Sequence, residues 1–204
     1  IDFVKELPIA GLHIDLDRAP EQLEPVLSAI APTKIGLSLG LVSGRNIWKT
    51  DLGAAIKLAQ KAVDAIGADR IQVASSSSLL HTPITVANEK KLKPEVADWF
   101  SFATEKCGEV ATIGVALKDQ AAAAQKLEAN AKSIAARRDF EKNSDPAVRE
   151  RVANIKPEDL NRKSPFPQRR EVQRQFLKLP PFPTTTIGSF PQTKEIRQYR
   201  ARFT

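Results

Sequence analysis

The chain has 204 residues, 42% hydrophobic, 27% charged and 6% aromatic, which is enough apolar material to bury the core of one or two domains. This composition excludes a chain that is disordered throughout, and no window approaches the roughly 18 consecutive apolar residues of a membrane-spanning helix. Cys107 is the only cysteine, which excludes an internal disulfide and favours a reducing compartment, most simply the cytoplasm.

The net charge of +7 is concentrated in one part of the sequence. Residues 121–180 contain 14 Lys or Arg and 8 Asp or Glu, a balance of +6. Such a segment can bind phosphate backbones, but Phe140, Phe166 and Phe176 are its only aromatic residues for stacking on bases. We therefore favour a solvated, basic helical connector, with a nucleic-acid-binding scaffold module as the alternative.

Three repeats of one pattern fill the first hundred residues: a short strand, a loop and an amphipathic helix. Alternating side chains predict strands at residues 11–17, 34–42 and 70–74. Apolar spacing and capping residues predict helices from Pro20 to Ile30, from Leu52 to Gly67, and from Pro94 onward. The third helix is expected to bury Val96, Trp99, Phe100, Ala103 and Cys107. This alternation predicts an α/β fold with a parallel sheet.

The strand composition favours a (βα)8 TIM barrel over a doubly wound open sheet. Central strands of an open sheet are near-continuous apolar runs, whereas residues 11–17 and 34–42 alternate large apolar with small or polar residues. In a barrel, the large side chains face the helices and the small or polar ones fill the lumen. Three units cannot close a barrel, so five more are expected before Ile1.

The middle of the chain lacks strand patterns and is predicted to be helical. An alanine-rich helix is expected over residues 118–138, and residues 145–146 are suited to begin a shorter one. Proline-rich stretches at 164–167 and 179–183 enclose an arginine-rich helix. We interpret this part as a linker that proline makes semi-rigid.

The last twenty residues return to the βα pattern. Residues 184–187 are rich in strand formers, Gly188 indicates a turn, and Thr193 is a suitable N-cap for a helix. We interpret this as the first unit of another domain. A glycine after a first barrel strand lets a ligand approach the backbone, and Ser189 adds a hydroxyl, although a simple turn also explains the glycine.

Three polar residues share one face of the first strand, toward the end at which barrel active sites lie: His13, Asp15 and Asp17. They can ligate a metal or transfer a proton, but we favour a structural role, either a hydrogen-bonded polar layer in the lumen or a salt link from Asp17 to Arg18. His81 follows the third strand near the same end. Because two histidines and one cysteine match no known zinc spacing, no metal site is predicted in this chain by itself.

Two loops carry weaker candidates. Arg45 follows the second strand and can hold a carboxylate in a bidentate pair, although loop arginines are usually solvated. The four serines at residues 75–78 lack the glycines of a nucleophile elbow, so the sequence does not predict a serine hydrolase.

The run FPTTTIGSFPQT at residues 182–193, followed by Glu195, Ile196 and Arg197, closely resembles the opening of the C-terminal domain of cobalamin-independent methionine synthases. The resemblance continues in order upstream, and fungal members are the most similar. The matching motifs are GLHIDL at 11–16, GRNIW at 44–48, SLLHTP at 78–83 and KSIAARR at 132–138. Ser77 stands where bacterial members often have cysteine, so the resemblance gives that loop no thiol role.

The resemblance implies a two-barrel enzyme that moves the methyl group of 5-methyltetrahydrofolate polyglutamate to homocysteine, forming methionine and tetrahydrofolate. Zinc would bind the homocysteine thiol and favour its thiolate, without cobalamin. Within this chain, the resemblance gives a substrate role only to Ile187, Gly188 and Ser189, which would contact the amino-acid part of homocysteine or methionine. No catalytic residue or zinc ligand is expected here. The parent is expected to be monomeric, with no nucleic-acid or membrane partner.

The same resemblance divides the chain into three parts. Residues 1–108 would be the C-terminal part of the first barrel and residues 109–182 a helical, proline-bracketed basic linker. Residues 183–204 would begin the catalytic barrel, with seven units expected after Thr204. A chain with this content is expected to be inactive alone.

Overall fold

A computed structural model describes residues 2–140, 145–186, 188 and 192–203. The chain divides into two compact units, Ile1–Asp145 and Pro146–Thr204. The domain limits expected at residues 108 and 182 concern the barrels of a whole protein, and they stay a prediction. None of the helices in the described ranges combines the length and the apolar content that crossing a bilayer requires.

A three-stranded parallel sheet forms the centre of the first unit, in the order β1 (Gly11–Asp15), β2 (Gly36–Val42) and β3 (Ile71–Ser75). The register pairs Leu12 with Leu37 and Leu37 with Ile71, so large apolar side chains lie side by side across the sheet. The three predicted strands and their parallel arrangement are confirmed, each with ends shifted by one or two residues. The βα order therefore holds through all three units.

Two amphipathic helices follow the first two strands and share one hydrophobic core with the sheet. Helix α1 (Leu23–Ile30) buries the predicted stripe of Leu23, Val26, Leu27 and Ile30. Helix α2 (Leu52–Ile66) begins at Asp51, whose carboxylate accepts the Ala54 N–H at 3.0 Å, and ends at Gly67. Gly67 has a positive φ of 87°, which glycine adopts without the strain that a side chain would add. Both ends of α2 match the sequence prediction.

The helix predicted to run from Pro94 through Cys107 is two helices instead. Helix α3 (Pro94–Ala97) is one turn long, and helix α4 (Ala103–Lys118) begins after an extended Phe102. The interruption occurs where Trp48 and Phe100 form an antiparallel bridge, with the Lys49 N–H donating to the Trp99 carbonyl at 2.9 Å.

The interruption changes which residues of α4 face inward. A helix that restarts at Ala103 buries positions 106, 109, 113 and 116, so Lys106 is fully buried and Cys107 is exposed. The prediction that Cys107 packs inward is therefore wrong. Helix α5 (Gln120–Asp139) follows, close to the predicted alanine-rich helix, and its N-cap Asp119 accepts the N–H groups of Ala121 and Ala122.

The second unit consists of three described helices and their connections: α6 (Pro146–Ala153), α7 (Phe166–Leu177) and α8 (Lys194–Arg202). All three were predicted, and Thr193 caps α8 as expected. Residues 184–186, by contrast, form no strand, and Ile187 lies outside the described residues. A strand needs a neighbour for its backbone groups, and the described part of this unit offers none.

Candidate functional site at the carboxyl ends of the strands

The parallel sheet brings polar side chains of the first unit to one edge. His13 lies opposite Ser38 in the register, and Asp15 ends β1 opposite Gly40. The loops that follow β2 and β3 begin at the same edge and supply Arg45 and Ser76. Because carboxyl ends of parallel strands meet at one edge, residues more than sixty positions apart form a single polar cluster.

Both ring nitrogens of His13 have protein partners. Its Nδ1 lies 2.9 Å from the Ser38 hydroxyl oxygen, and its Nε2 lies 3.4 Å from the Ser76 carbonyl oxygen. A carbonyl only accepts, so Nε2 carries the proton in that contact and Nδ1 accepts from the serine hydroxyl. The arrangement is the hydrogen-bonded polar layer that the sequence favoured, and it links β1 to β2 and to the loop that follows β3.

Asp15 is held in place by one side chain and two backbone groups. Its Oδ2 accepts from Arg45 Nη1 at 2.8 Å, and its Oδ1 accepts from the N–H groups of Asp17 and Arg18 at 3.1 and 3.0 Å. Burial alone would raise the pKa of Asp15. The hydrogen bond and charge of Arg45, together with the backbone N–H groups, lower that pKa below its ordinary value. The carboxylate that Arg45 binds is thus one of this chain's own, and the contact runs from Nη1 to Oδ2, whereas a bidentate pair was expected.

Two glycines allow the strands and loops of this edge to approach closely. A Cβ added to Gly40 would lie 2.7 Å from the Ile14 carbonyl oxygen, and one added to Gly44 would overlap the Ser77 carbonyl oxygen. The Gly44 N–H donates to Ser76 Oγ at 3.2 Å, which fixes the loop after β2 against β3. Gly40 and Gly44, two of the small residues in and after the second predicted strand, therefore allow the backbone segments of this edge to pack closely.

Lys106 is a residue of this region that the sequence did not predict. Its ammonium donates to the Trp48 carbonyl oxygen at 3.0 Å and lies 3.4 Å from Asn46 Oδ1. Burial lowers the pKa of Lys106, while the negative charges of Glu109 and Asp17 oppose that shift. The sequence signal for the burial of Lys106 is its spacing: it lies four residues after Phe102 and seven before Ile113, on the buried face of α4.

The loop after β2 is also fixed from the side of α5. Asn130 accepts the Leu52 N–H at 3.1 Å through Oδ1 and donates to the Thr50 carbonyl oxygen at 2.9 Å through Nδ2. Lys49 donates to Asp98 Oδ1 at 2.8 Å and to Ser133 Oγ at 3.2 Å. These contacts give the loop a rigid path from the sheet to α2.

The residues predicted to contact substrate lie in the second unit. Ile187 and Ser189 are outside the described residues, and Gly188 is exposed, with no atom within 4 Å of an added Cβ. His81 is exposed at the end of a short 3-10 turn, Leu79–His81. No group of three His, Cys, Asp or Glu side chains that could bind a metal occurs among the described residues.

Comparison with known families gives two matches in chain order. The family described as "Cobalamin-independent synthase, N-terminal domain" matches residues 1–67. The family described as "Cobalamin-independent synthase, Catalytic domain" matches residues 182–204. His13, Asp15, Ser38 and Arg45 of the polar cluster therefore lie in the part that resembles the N-terminal domain, whereas Ser76 lies after it, and Gly188 lies in the part that resembles the catalytic domain.

Similar proteins cover nearly all of the chain. A probable 5-methyltetrahydropteroyltriglutamate–homocysteine methyltransferase of Schizosaccharomyces pombe is 50% identical over 203 residues, 99% of this chain and 26% of the relative. The Saccharomyces cerevisiae methyltransferase of that name is 50% identical, with 100% and 26% covered. That of Nitrobacter winogradskyi is 48% identical, with 98% and 26% covered. The chain thus spans about a quarter of the length of these relatives.

Proposed function

We propose that the chain belongs to the cobalamin-independent methionine synthase family and forms part of an enzyme that transfers a methyl group from 5-methyltetrahydropteroyltriglutamate to homocysteine. The observation that carries this proposal is identity of about 50% along 98–100% of the chain to three relatives named for that reaction. The products would be methionine and the demethylated folate. With a quarter of the relatives' length, the chain alone is expected to be inactive.

We propose that the parallel units of the first 108 residues are a segment of a (βα)8 barrel. Three consecutive parallel strands in sequential order, each followed by a helix, support this proposal. Residues 109–182 would then link this barrel to a second one that begins near residue 183. The described helix α6, and helix α7 between the two proline-rich segments, are compatible with that linker.

For the substrate, we propose that Ile187, Gly188 and Ser189 form one edge of the site for the amino-acid part of homocysteine. The open space around Gly188 supports close approach of a ligand to the backbone. The Ser189 hydroxyl and neighbouring amides would then hydrogen-bond to the ammonium and carboxylate groups of the amino acid.

Zinc would favour the thiolate form of homocysteine, which is the nucleophile for the methyl group. The described residues do not fit a zinc site, because no three suitable side chains come together among them. We therefore assign no step through zinc to this chain. We propose dependence on zinc only for the whole enzyme.

A chimera tests the proposal directly. The matched quarter of the S. cerevisiae relative is replaced by these 204 residues, and the product is assayed for methionine formation. We expect activity, and a Ser189→Ala chimera should show a KM for homocysteine raised by about tenfold with the folate KM unchanged. An inactive but folded chimera would contradict the proposal. An equal rise of both KM values would limit Ser189 to a structural role.

A basic nucleic-acid-binding module remains the second candidate, because residues 146–204 contain 13 Lys or Arg against 5 Asp or Glu, a balance of +8. Helix α7 also places Arg169 and Arg170 near the exposed ring of Phe166. Filter binding of the 204-residue chain to single-stranded RNA at increasing salt distinguishes the candidates. Tight binding that weakens steeply with salt would favour this module, whereas we expect weak binding.

A further inference from the structure

A cleft of about 760 Å³ lies in the first unit, between the loop that leads into α2 and helices α3, α4 and α5. Its lining combines apolar residues, Leu52, Val86, Pro94, Ala97, Phe100 and Ala129, with polar and charged ones, among them Lys49, Asp98, Ser101, Glu105, Glu109 and Lys126. The cleft is built entirely from residues 49–130 and does not include any residue of the polar cluster around His13. Nothing in the proposed methyl transfer uses it.

Two buried polar side chains of this cleft have unused hydrogen-bonding atoms. Glu109 is 8% exposed; its Oε1 accepts the Thr50 N–H at 3.2 Å, whereas its Oε2 has no partner among the described residues. Ser101 is fully buried, and its Oγ likewise has no partner in the described part of the chain. Buried polar atoms are nearly always hydrogen-bonded, so two such atoms lining one cleft indicate a ligand that supplies the missing groups.

The other buried or half-buried polar groups of the lining already have partners. Glu105 accepts from the Thr85 hydroxyl at 2.6 Å and from the N–H groups of Val86 and Phe102. Asn130 uses both its oxygen and its nitrogen on the backbone of the loop before α2. The Thr112 hydroxyl donates to the Gly108 carbonyl oxygen at 2.7 Å. Among the buried polar atoms of the lining, a carboxylate oxygen of Glu109 and the hydroxyl of Ser101 are thus without a partner in the described part of the chain; Lys49 and Lys126 also line the cleft, and the Glu109 charge acts on Lys106.

These two atoms define the chemistry of the ligand. A carboxylate oxygen accepts hydrogen bonds and repels anions, so the ligand must donate, and a cationic donor makes the stronger hydrogen bond. The serine hydroxyl can accept a second N–H from the same nitrogen. The apolar residues of the lining suit a compact hydrocarbon body attached to that nitrogen.

We propose that this cleft binds a small primary amine with an apolar body, whose ammonium donates to Glu109 Oε2 and Ser101 Oγ. Both atoms are buried, so the Ser101 hydroxyl must rotate to meet the ligand, and the Glu109 carboxylate must turn about its terminal torsion, which moves its Oε1 away from the Thr50 N–H. That torsion is broad in proteins, which makes the rotation easy. Gly108 lines the same cleft, and an added Cβ there would meet no atom within 4 Å.

The test is a titration of the ¹⁵N-labelled 204-residue chain with benzylamine, followed by NMR at the amides of Ser101, Gly108 and Glu109. Benzyl alcohol, which has the same body without the cation, is the matched ligand control. We expect saturable shifts with benzylamine and binding at least about tenfold weaker with the alcohol.

Two variants make the proposal falsifiable. Glu109→Gln replaces the accepting Oε2 by a donor, and Gly108→Leu fills the cleft from an exposed helix position. Each should weaken benzylamine binding at least about tenfold, since either the charge-assisted bond or the space is lost. Glu128→Gln, on the exposed surface of α5, should leave binding unchanged. Absence of saturable binding in the wild type, or retention in either variant, would overturn the proposal.

Discussion

The two compact units contain helices with the same apolar spacing and opposite burial. In α1, Leu23, Leu27 and Ile30 are at most 4% exposed, whereas Val148, Val152 and Ile155, spaced identically in and after α6, are 51–60% exposed. The units also differ in charge: residues 146–204 carry +8, which leaves −1 for residues 1–145. Periodicity and capping therefore determine where a helix forms and which face is apolar. Burial additionally requires a sheet or helix to cover that face.

The largest expected difference between the units concerns core packing. Leu39, on the central strand β2, is fully buried, whereas Phe176 in α7 is 83% exposed. Leu39→Ala removes buried methyl groups and leaves a cavity, so it should lower the free energy of unfolding by about 2–5 kcal/mol. Phe176→Ala should change it by less than about 0.5 kcal/mol. Urea denaturation of both variants measures this, and similar losses would contradict the comparison.

A second contrast concerns buried and exposed lysines. Lys106→Ala should lower the unfolding free energy by about 2 kcal/mol, because it leaves the Trp48 carbonyl without its donor and opens a cavity. The exposed Lys156→Ala should have little effect.

The buried Lys106 should also make the free energy of unfolding depend on pH in a defined direction. The pKa of Lys106 is lowered in the folded state, so the unfolded chain holds more protons between that lowered value and the ordinary value of 10.5. The unfolding free energy contributed by this group therefore rises with pH in that window. Lys106→Met should remove the rise, as measured by urea denaturation at several pH values. A rise that persists in the variant would show that another group causes it.

Two glycines provide the third contrast. Gly44→Ala forces a Cβ against the Ser77 carbonyl and should cost about 1–3 kcal/mol of unfolding free energy. Gly188→Ala meets open space and should change stability by less than about 0.5 kcal/mol. Thermal unfolding of the two variants provides the measurement. A neutral Gly44→Ala would mean that the loops after β2 and β3 separate easily.

The smallest expected effect is at the ion pair of Asp15 and Arg45. Both side chains are partly exposed, so Asp15→Asn should cost only about 0.5–1 kcal/mol near neutral pH. The pKa of Asp15 is lowered by folding, so its contribution is present above the ordinary value of 3.8 and is lost as the pH falls through the folded value. Stability differences between wild type and Asp15→Asn should therefore shrink in acid. A constant difference would exclude the carboxylate charge as the cause.

The sequence predicted the elements of the first unit because each depends on local signals. Alternation marks the strands, and Asp51 and Gly67 mark the ends of α2. The interruption between α3 and α4 could not be predicted, since it depends on pairing with Trp48, about fifty residues away. The same long-range pairing decides that Lys106, and not Cys107, faces the core.

The sequence predicted a polar layer at the candidate site, but it did not predict which residues contact each other there. The polar face of His13 and Asp15 follows from alternation, and a polar layer there is what the structure contains. The partners Ser76 and Arg45 come from two other loops, and only the three-dimensional register brings them together. The assigned substrate edge at Ile187, Gly188 and Ser189 rests on family resemblance and stays a prediction.

The Asn130 side chain also makes hydrogen exchange at the Leu52 amide depend on whether α5 is docked. The N–H of a first helical residue usually exchanges quickly with solvent, since no earlier turn of the helix accepts it. Here the Leu52 N–H is bonded to an amide 78 positions later, on α5. Slow hydrogen exchange at Leu52 would thus report docking of α5, and its exchange rate would measure how often that helix detaches while the sheet stays intact.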